Sequence, residues 1–221
     1  MFITIDGPEG SGKSTLIEKL SDWFLDNLKD KNGFILTNEP GSKKDELCRK
    51  IRSLVLNPEY EIDAKTSLML MLTDRSRNMQ KIIIPALKQN KIVLCDRHNN
   101  STIAYQAFGE RNGEKKYLDF IQQTNDFVTD CIYPDLNILL MVDSKIGLSR
   151  ATKKEFGKKD RYESKPIDFH DRVCSGFEYL QKKFSKEKKD FLIMDTTFKK
   201  EDEIFKEVSK FLKDYLKDYL K

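Results

Sequence analysis

The sequence lacks paired cysteines and long apolar runs. Its four cysteines lie far apart with no C-x-x-C motif, so we expect neither a zinc site nor a disulfide framework; they are Cys48, Cys95, Cys131 and Cys174. No apolar run approaches the roughly 18 residues that a membrane span needs, and no charged segment precedes the first apolar run as it would in a signal peptide. We therefore predict a soluble protein of the reducing cytoplasm, with no membrane partner.

Histidine is scarce as well, because the chain contains only His98 and His170. The two stand too far apart in sequence to indicate a metal site. We expect His98 to orient groups beside Arg97 and His170 to lie at the surface.

The sequence also lacks a strong excess of one charge. It contains 40 Lys and Arg against 36 Asp and Glu, a formal net charge of +4, and these charges are spread along the chain. A clustered basic surface for nucleic acid is therefore not expected. The N-K-x-D motif that reads guanine is absent after the fourth and fifth apolar runs, which argues against a switch GTPase.

Short apolar runs alternate with longer periodic segments. Five runs predict buried parallel strands, at residues 2–6, 34–37, 92–96, 136–143 and 191–195. Segments 14–27 and 64–89 carry apolar residues at helical spacing. The 221 residues thus indicate one α/β domain, 1–221, with a parallel sheet of about five strands and helices on both faces. The C-terminal KDYLKDYLK repeat predicts an amphipathic helix docked on the sheet.

The strongest motif follows the first apolar run. Gly7-x-x-x-x-Gly12-Lys13-Ser14 lies between a predicted strand and a predicted helix, which is the context of a P-loop. Its backbone N–H groups and the helix N-terminus would cradle phosphates, Lys13 would bridge the β- and γ-phosphates, and Ser14 would ligate Mg²⁺. The predicted triphosphate contacts within this loop are Gly7, Glu9, Gly10, Ser11, Gly12, Lys13, Ser14 and Thr15. The loop alone leaves ATPases, GTPases and small-molecule kinases open.

An acid and a base close the third predicted strand. Asp96 and Arg97 would stand at the carboxyl edge of the sheet, facing the phosphate loop. Asp96 could hold Mg²⁺ through water or accept a proton, and Arg97 could grip an acceptor phosphate bidentately. A plain strand-end ion pair is the alternative for these two residues taken alone.

Together these motifs resemble the thymidylate kinase family of P-loop nucleoside monophosphate kinases. The matching pieces, in family order, are GPEGSGKST, NEPGS at 38–42, the helix at 68–87 with its arginine, DRHNNSTIAYQ at 96–106 and DRYE at 160–163. The resemblance covers nearly the whole chain. It implies a P-loop NTPase fold with a mobile lid and Mg²⁺-dependent transfer of the ATP γ-phosphoryl group to dTMP, giving dTDP and ADP. It also implies a homodimer that forms through helices beside the acceptor site.

The resemblance assigns the acceptor residues one by one. Glu9 would approach the sugar 3′-hydroxyl, Arg75 the thymine edge and Arg97 the acceptor phosphate, with Asp96 near magnesium and the transferring group. The remaining expected acceptor contacts are Glu39, Pro40 after a cis bond, Ser101, Tyr105, Gln106 and Tyr162.

Two positions depart from the family pattern. Met71 stands where most members have an aromatic residue on thymine, and either covers the base through its sulfur or is simply core. Asn38 replaces a frequent arginine before the EPG triplet. The first departure leaves base discrimination open, and the second removes one contact to the acceptor phosphate.

A lysine-rich stretch at about 152–165 resembles the family's lid over ATP. Lys153, Lys154, Lys158 and Lys159 are candidate cations or merely a solvated surface. Arg150 and Arg161 are the better candidates to reach ATP, and we expect Arg161→Ala to lower kcat far more than it raises KM for dTMP.

Other functions and the basis for a dimer remain open at this point. Another nucleotide or deoxynucleoside kinase on the same fold is the nearest alternative, and an ATP-gated nucleic-acid-binding module is a more distant one. The 64–89 helix carries more apolar surface than the sheet needs, which suggests an interface; the residues concerned are Leu68, Leu70, Met71, Leu72, Met79 and Ile83.

Overall fold

A single five-stranded parallel sheet organises the chain, with strand order β2-β3-β1-β4-β5. The computed structural model describes residues 1–154, 160–187 and 190–221, except the side chains of 153–154 and 185–187. The strands are β1 Phe2–Asp6, β2 Phe34–Asn38, β3 Ile92–Asp96, β4 Leu136–Met141 and β5 Phe191–Asp195. All five predicted strands are therefore confirmed, and β1 lies at the centre of the sheet.

Nine α-helices and two π-helical turns lie within the described ranges. The helices are α1 Lys13–Asn27, α2 Glu46–Leu56, α3 Ala64–Asn78, α4 Ile84–Lys88, α5 Asn99–Thr102, α6 Lys115–Val128, α7 Ser144–Lys154, α8 Ile167–Glu187 and α9 Glu201–Tyr215; the π turns are Met79–Ile83 and Ile103–Gly109.

The predicted helix 64–89 is helical almost throughout but not uniform. Its α3 and α4 parts flank the first π turn, and Pro85 stands at the start of α4. A proline lacks the N–H of the helical ladder and its ring crowds the carbonyl four residues earlier, so a local shift of hydrogen bonding accommodates it. The sequence pattern predicts the helix but does not reveal this shift.

Both faces of the sheet are covered because strand side chains alternate. Ile3 and Ile5 pack in one core with the apolar faces of α1 and α9. Phe2 faces the opposite core with Met79 and Ile83. The predicted layering is therefore confirmed.

The C-terminal repeat packs on the domain, but only part of it is helical. Helix α9 ends at Tyr215, and Leu220 then forms an isolated antiparallel bridge with Leu28. Leu216 and Leu220 are buried in the core shared with α1. The repeat therefore has a structural role, as predicted. The prediction of a helix over its whole length is wrong, because Leu220 in its second half pairs with Leu28 at the C-terminal end of α1.

No helix in the described ranges combines the length and the apolar character needed to cross a bilayer. All four cysteines are free thiols in the structure.

Candidate active site

A cleft of about 880 Å³ opens at the carboxyl ends of β1, β2 and β3. Ligands of open parallel sheets bind at this edge. The predicted site residues that line it are Glu9, Gly10, Gly12, Lys13, Ser14, Thr15, Glu39, Pro40, Met71, Arg75, Asp96, Arg97, Ser101, Tyr105, Gln106, Arg150 and Tyr162. The fold therefore brings residues from most of the chain's length to one place.

The phosphate loop connects β1 to α1 in a conformation that depends on its glycines. Gly10 has φ 68° and Gly12 has φ 93°, in the left-handed region that favours glycine. A Cβ on Gly10 would lie 1.9 Å from the carbonyl oxygen of Gly147 at the start of α7. No side chain caps α1, since Gly12 is its N-cap, so its first N–H groups are available to an anion.

Lys13 is folded inward over this loop. Its Nζ atom donates to the carbonyl oxygens of Gly7 at 2.9 Å and Pro8 at 2.7 Å, and to Ser11 Oγ at 3.3 Å. Burial and the neighbouring Arg97 lower the pKa of Lys13 to about 8. An anionic phosphate would relieve both effects, so the ammonium is placed to favour one.

Arg97 joins the end of β3 to the phosphate loop. Its Nη2 atom donates to Glu9 Oε1 at 2.8 Å and to the Tyr105 hydroxyl at 3.2 Å, and Nη1 donates to the Gly7 carbonyl oxygen at 2.9 Å. The Tyr105 hydroxyl donates to the same Glu9 oxygen at 2.7 Å. Burial alone would raise the pKa of Glu9, but Arg97 and Lys13 outweigh it and lower that pKa to about 2. Glu9 is therefore a carboxylate bound between cations.

Asp96 stands beside this cluster with unused hydrogen-bonding capacity. Within the part of the chain that the structure describes, its Oδ1 atom is buried and has no hydrogen-bond partner. Burial raises the pKa of Asp96 against the opposing influence of Arg97 and Lys13. Ser14, at the start of α1, lines the same cleft and is exposed. A carboxylate and a hydroxyl are oxygen ligands that suit Mg²⁺.

The first residue after β2 is Glu39, and its side chain is held by two residues of α3 and by His98. The bond between Glu39 and Pro40 is cis, as expected. Glu39 Oε2 accepts from Arg75 Nε at 2.8 Å and lies 3.2 Å from His98 Nδ1, while Oε1 accepts from Asn78 Nδ2 at 3.0 Å. Burial would raise the pKa of Glu39, but His98 and Arg75 lower it to about 2.

Arg75 lines the cleft although only 2% of it is exposed. Besides the bond to Glu39, its Nη1 donates to Asn125 Oδ1 at 3.2 Å and Nη2 to Thr102 Oγ1 at 2.9 Å. A guanidinium has five N–H donors, so two of those of Arg75 have no hydrogen-bond acceptor among the described residues. The expected contact to a base edge stays a prediction.

The second π turn carries two of the predicted acceptor residues. Tyr105 is paired with Glu9 as described, and Gln106 Nε2 donates to the Tyr162 hydroxyl at 2.8 Å. Met71 lines the cleft and is half-buried. Single π turns inside helices occur often at functional sites because they redirect side chains.

Ser101 serves the scaffold as well as the cleft. Its hydroxyl donates to Asp6 Oδ1 at 2.6 Å and accepts from Arg97 Nη1 at 3.3 Å. Asp6 also accepts from the backbone N–H of His98 at 3.0 Å. The His98 backbone N–H thus helps to hold the turn beside Arg97, and the expected role of the imidazole in orienting groups there stays a prediction.

Arg161 does not line the cleft. Its Nε donates to the Val55 carbonyl oxygen at 3.0 Å and Nη1 to that of Ile62 at 3.1 Å. Its Nη2 has three acceptors within 3.3 Å: Ser67 Oγ, the Tyr162 hydroxyl and Glu110 Oε1. The guanidinium is 7% exposed, so the structure does not bring it to the phosphate loop, contrary to our expectation of a cation over ATP.

Arg150 does lie beside the phosphate loop. Its guanidinium donates to the carbonyl oxygens of Thr196 at 3.1 Å and Thr197 at 2.7 Å, and Thr196 Oγ1 donates to the Ser11 carbonyl oxygen at 3.1 Å. The remaining predicted lid cations cannot be placed: Lys158 and Lys159 lie outside the described residues, as do the side chains of Lys153 and Lys154.

Arg52 lies at the cleft although the sequence pattern does not predict it there, and His170 does not lie at the surface as predicted. Arg52, on α2, lines the cleft, and its Nη1 donates to the Pro40 carbonyl oxygen at 2.8 Å. Only the distance from the EPG triplet to the next helix could have indicated it. His170 is buried rather than exposed, because it lies on the same face of α8 as the buried Val173. Burial lowers the pKa of His170.

One group of potential metal ligands lies at the wall of the cleft. Among the described residues, Glu39, Cys95 and His98 offer ligand atoms within 4.8 Å of one another. The Glu39 oxygen nearest His98 is already paired with Arg75, and burial raises the pKa of the Cys95 thiol. This group is therefore a poor metal site.

Known proteins resemble the whole chain. The model of the family described as "Thymidylate kinase" matches residues 5–208. A thymidylate kinase of Geobacillus sp. (strain WCH70) is 37% identical over 205 residues, covering 92% of this chain and 91% of its own. One of Finegoldia magna is 36% identical, covering 96% of this chain and 98% of its own. The crystal structure of a thymidylate kinase from Ehrlichia chaffeensis superposes with a TM-score of 0.75 at 31% identity, covering 96% of this chain and 98% of the other.

Proposed function

The chain belongs to the thymidylate kinase family and phosphorylates dTMP with ATP, and we propose that the cleft at the carboxyl edge of the sheet is where it does so. One observation carries this proposal: Lys13, Asp96 and Arg97 converge on the phosphate loop. Residues 1–221 form one kinase domain in this proposal.

The donor nucleotide occupies the phosphate-loop end of the cleft. The N–H groups from Gly10 to Thr15 surround the phosphates of ATP, and Lys13 leaves the loop carbonyls to bridge the β- and γ-phosphates. Arg150 stands at the far side of the loop and contacts the donor there.

Magnesium is the cofactor that these residues fit. Asp96 and Ser14 hold it, supported by the buried Asp96 oxygen that the described residues leave without a hydrogen bond. When bound, Mg²⁺ neutralises charge on the phosphate oxygens. Asp96 must then be ionised, although its burial raises its pKa; the nearby Lys13 and Arg97 favour the charged form.

The acceptor nucleotide occupies the other end of the cleft. Arg97 takes its phosphate, and Glu9 and Tyr105 approach its sugar, because these three side chains already share hydrogen bonds beside the loop. Glu39 and Pro40 shape the floor under the phosphate. The base lies among Met71, Arg75, Ser101, Gln106 and Tyr162.

The chemistry is direct in-line transfer governed by position and charge. An oxygen of the acceptor phosphate attacks the γ-phosphorus of ATP, and the bond between that phosphorus and the bridging oxygen, which leaves with ADP, breaks. Lys13 and Arg97 stabilise the charge on the equatorial and acceptor oxygens. We assign Arg161 to the base end, through Tyr162, because its guanidinium is held there by α2 and α3.

Two copies of the chain assemble as a homodimer through the exposed apolar side chains of α3 and α6. Met69, Phe120 and Phe127 are 50%, 45% and 82% exposed. The apolar residues from which the sequence predicted an interface instead fill the subunit's own core; they are Leu68, Leu72, Met79 and Ile83.

The four free thiols fit a cytoplasmic enzyme. Dispersed charge fits small-molecule substrates rather than nucleic acid.

A nucleotide panel tests these assignments. ADP release with ATP is measured for dTMP, dUMP, dCMP, dGMP and dAMP over a range of Mg²⁺ concentrations, in the wild type and in Met71→Ala. We expect a strong preference for dTMP, no turnover without a divalent cation, and a KM for dTMP about tenfold higher in Met71→Ala. An equal rate with dCMP would instead favour another nucleotide kinase.

Asp96→Asn tests the magnesium assignment. We expect kcat to fall at least about 100-fold and the Mg²⁺ requirement to shift to higher concentration. Asp22→Asn, an exposed position on α1, is the matched control and should behave as the wild type. An unchanged Mg²⁺ dependence in Asp96→Asn would contradict the assignment.

A further inference from the structure

Residues on one turn of α3 hydrogen-bond to both ends of the Glu39–Gly41 segment, which follows β2. Arg75 and Asn78 bind the side chain of Glu39, as described above. Asp74, the residue before Arg75, accepts a hydrogen bond through Oδ2 from the backbone N–H of Gly41 at 3.0 Å. The cis Glu39–Pro40 bond lies between these two anchors.

The Gly41 end has little freedom to move independently of its neighbours. Gly41 has φ 87°, and a Cβ on it would lie 2.4 Å from Arg52 Cβ. The carbonyl oxygen of the preceding Pro40 accepts from Arg52 Nη1 at 2.8 Å and from Asn38 Nδ2 at 3.0 Å. A displacement of Gly41 would therefore also displace Arg52, which lines the cleft.

Asp74 is an unusual residue to hold this position. It is fully buried, and its Oδ1 atom has no hydrogen-bond partner among the described residues. The charged or titratable groups around it are Glu39 from the segment itself, Arg75 on α3 and Cys48 from α2, whose Sγ lies 3.9 Å from the Asp74 carbonyl oxygen. A buried carboxyl with one free oxygen is costly to keep for packing alone.

We propose that Asp74 is a positioning residue for dTMP: its carboxylate fixes the Gly41 amide, and through it the Pro40 carbonyl and Arg52, in the geometry that the acceptor nucleotide requires. This inference rests on the proposed assignment of the Glu39–Pro40 segment to the acceptor site. Asp74 does not line the cleft. It is tied to the segment assigned to the acceptor nucleotide rather than to the phosphate loop, so we expect its loss to raise KM for dTMP more than it lowers kcat.

The positioning should depend on pH. Burial, with Glu39 adding to it, raises the pKa of Asp74 to about 7. The ionised carboxylate accepts a stronger hydrogen bond from Gly41 than the protonated acid does. The acceptor site should therefore weaken as the pH falls through about 7.

Asp74→Asn and Asp74→Ala test the proposal with saturating ATP and Mg²⁺. The asparagine keeps an oxygen for the Gly41 amide but cannot ionise, whereas the alanine removes the bond. KM for dTMP and kcat are measured from pH 6 to 8.5 in each. The phosphate of dTMP itself ionises at about pH 6, and this affects all variants equally. The ratio of the wild-type KM to the Asp74→Asn KM therefore reports only the ionisation of Asp74 in the enzyme.

We expect that ratio to rise about fivefold from pH 8 to pH 6, with the kcat ratio changing less than about twofold. Asp74→Ala should raise KM about tenfold at pH 8. A KM ratio that stays constant with pH would overturn the proposal even if Asp74→Ala fails to fold. Absence of dTMP turnover by the wild type would instead refute the proposed site as a whole.

Urea unfolding gives a readout that needs no substrate. The native state binds the Asp74 proton more tightly than the unfolded state does, because the pKa is raised on folding. This residue's contribution to stability is therefore largest below the unfolded pKa and is lost as pH rises toward about 7. We therefore subtract the urea midpoint of the wild type from that of Asp74→Asn at each pH, and we expect this difference to increase from pH 4 to pH 8. A difference that stays constant would show that the Asp74 carboxyl does not titrate in this range.

Discussion

Arg97 Nη2 lies 2.8 Å from Glu9 Oε1, so a guanidinium from the end of β3 neutralises a carboxylate inside the phosphate loop. The two residues are 88 positions apart in sequence. Tyr105 donates to the same carboxylate oxygen, which fixes the trio at the junction between the donor and acceptor ends of the cleft. In the proposed acceptor site, an incoming phosphate would compete with Glu9 for this arginine.

Removal of the Arg97 guanidinium should impair the acceptor side selectively. We expect Arg97→Ala to lower kcat/KM for dTMP at least about 100-fold, because it loses a charge-assisted bidentate contact. Arg97→Lys keeps the charge but not the planar fork and should recover only part of the loss. Steady-state kinetics with each substrate varied in turn is the measurement. A KM for ATP raised more than that for dTMP would place Arg97 at the donor end instead.

The activity should have an alkaline limit set by Lys13. Since burial and Arg97 lower its pKa to about 8, the free enzyme loses the ammonium above that pH. We expect kcat/KM for ATP, which reports ionisations of the free enzyme, to fall about tenfold per pH unit above about pH 8. The phosphates of ATP are already ionised there. Lys13→Ala should give a low, flat profile, and a wild-type profile that stays level to pH 10 would contradict the assignment.

Arg161→Ala should affect dTMP binding and stability rather than transfer. Its guanidinium holds the Tyr162 hydroxyl, α2 and the α2–α3 connection together. We expect KM for dTMP to rise about tenfold with kcat within about threefold, and the free energy of unfolding to fall by ~3 kcal/mol, since partners are left buried and unpaired.

The control for this variant is Arg49→Ala, an exposed arginine on α2. It should change neither quantity. If Arg161→Ala lowers kcat by orders of magnitude with normal KM and stability, the guanidinium must reach the phosphates during turnover, as the sequence analysis first suggested.

The exposed aromatic residues of α6 should control assembly. Phe120 and Phe127 are seven residues apart and therefore lie on one face of the helix. Sedimentation velocity should show a dimer for the wild type and a monomer for Phe120→Glu combined with Phe127→Glu, because the substitutions bury charge at the interface. Phe198→Glu alters an aromatic residue outside α6 that is 89% exposed, and this variant should remain dimeric. A monomeric wild type would refute the interface.

The strands, the phosphate loop and the family can all be predicted from the amino-acid sequence. These features are local: apolar runs predict strands, helical spacing predicts α1, and the P-loop motif specifies its own turn and helix start. The resemblance then identified most residues that line the cleft, because it matches motif against motif in order.

The pairing of those residues depends on the folded chain and could not be predicted from local sequence. Glu9 with Arg97, Asp74 with Gly41 and Arg161 with the backbone of α2 are contacts between segments 33 to 106 residues apart. The motif DRYE indicates an arginine near the cleft but not the direction of its side chain. That direction depends on the positions of the Val55 and Ile62 carbonyl oxygens, to which Arg161 donates. Likewise, the burial of His170 and the partial helix of the C-terminal repeat follow from packing against distant elements, which no local pattern encodes.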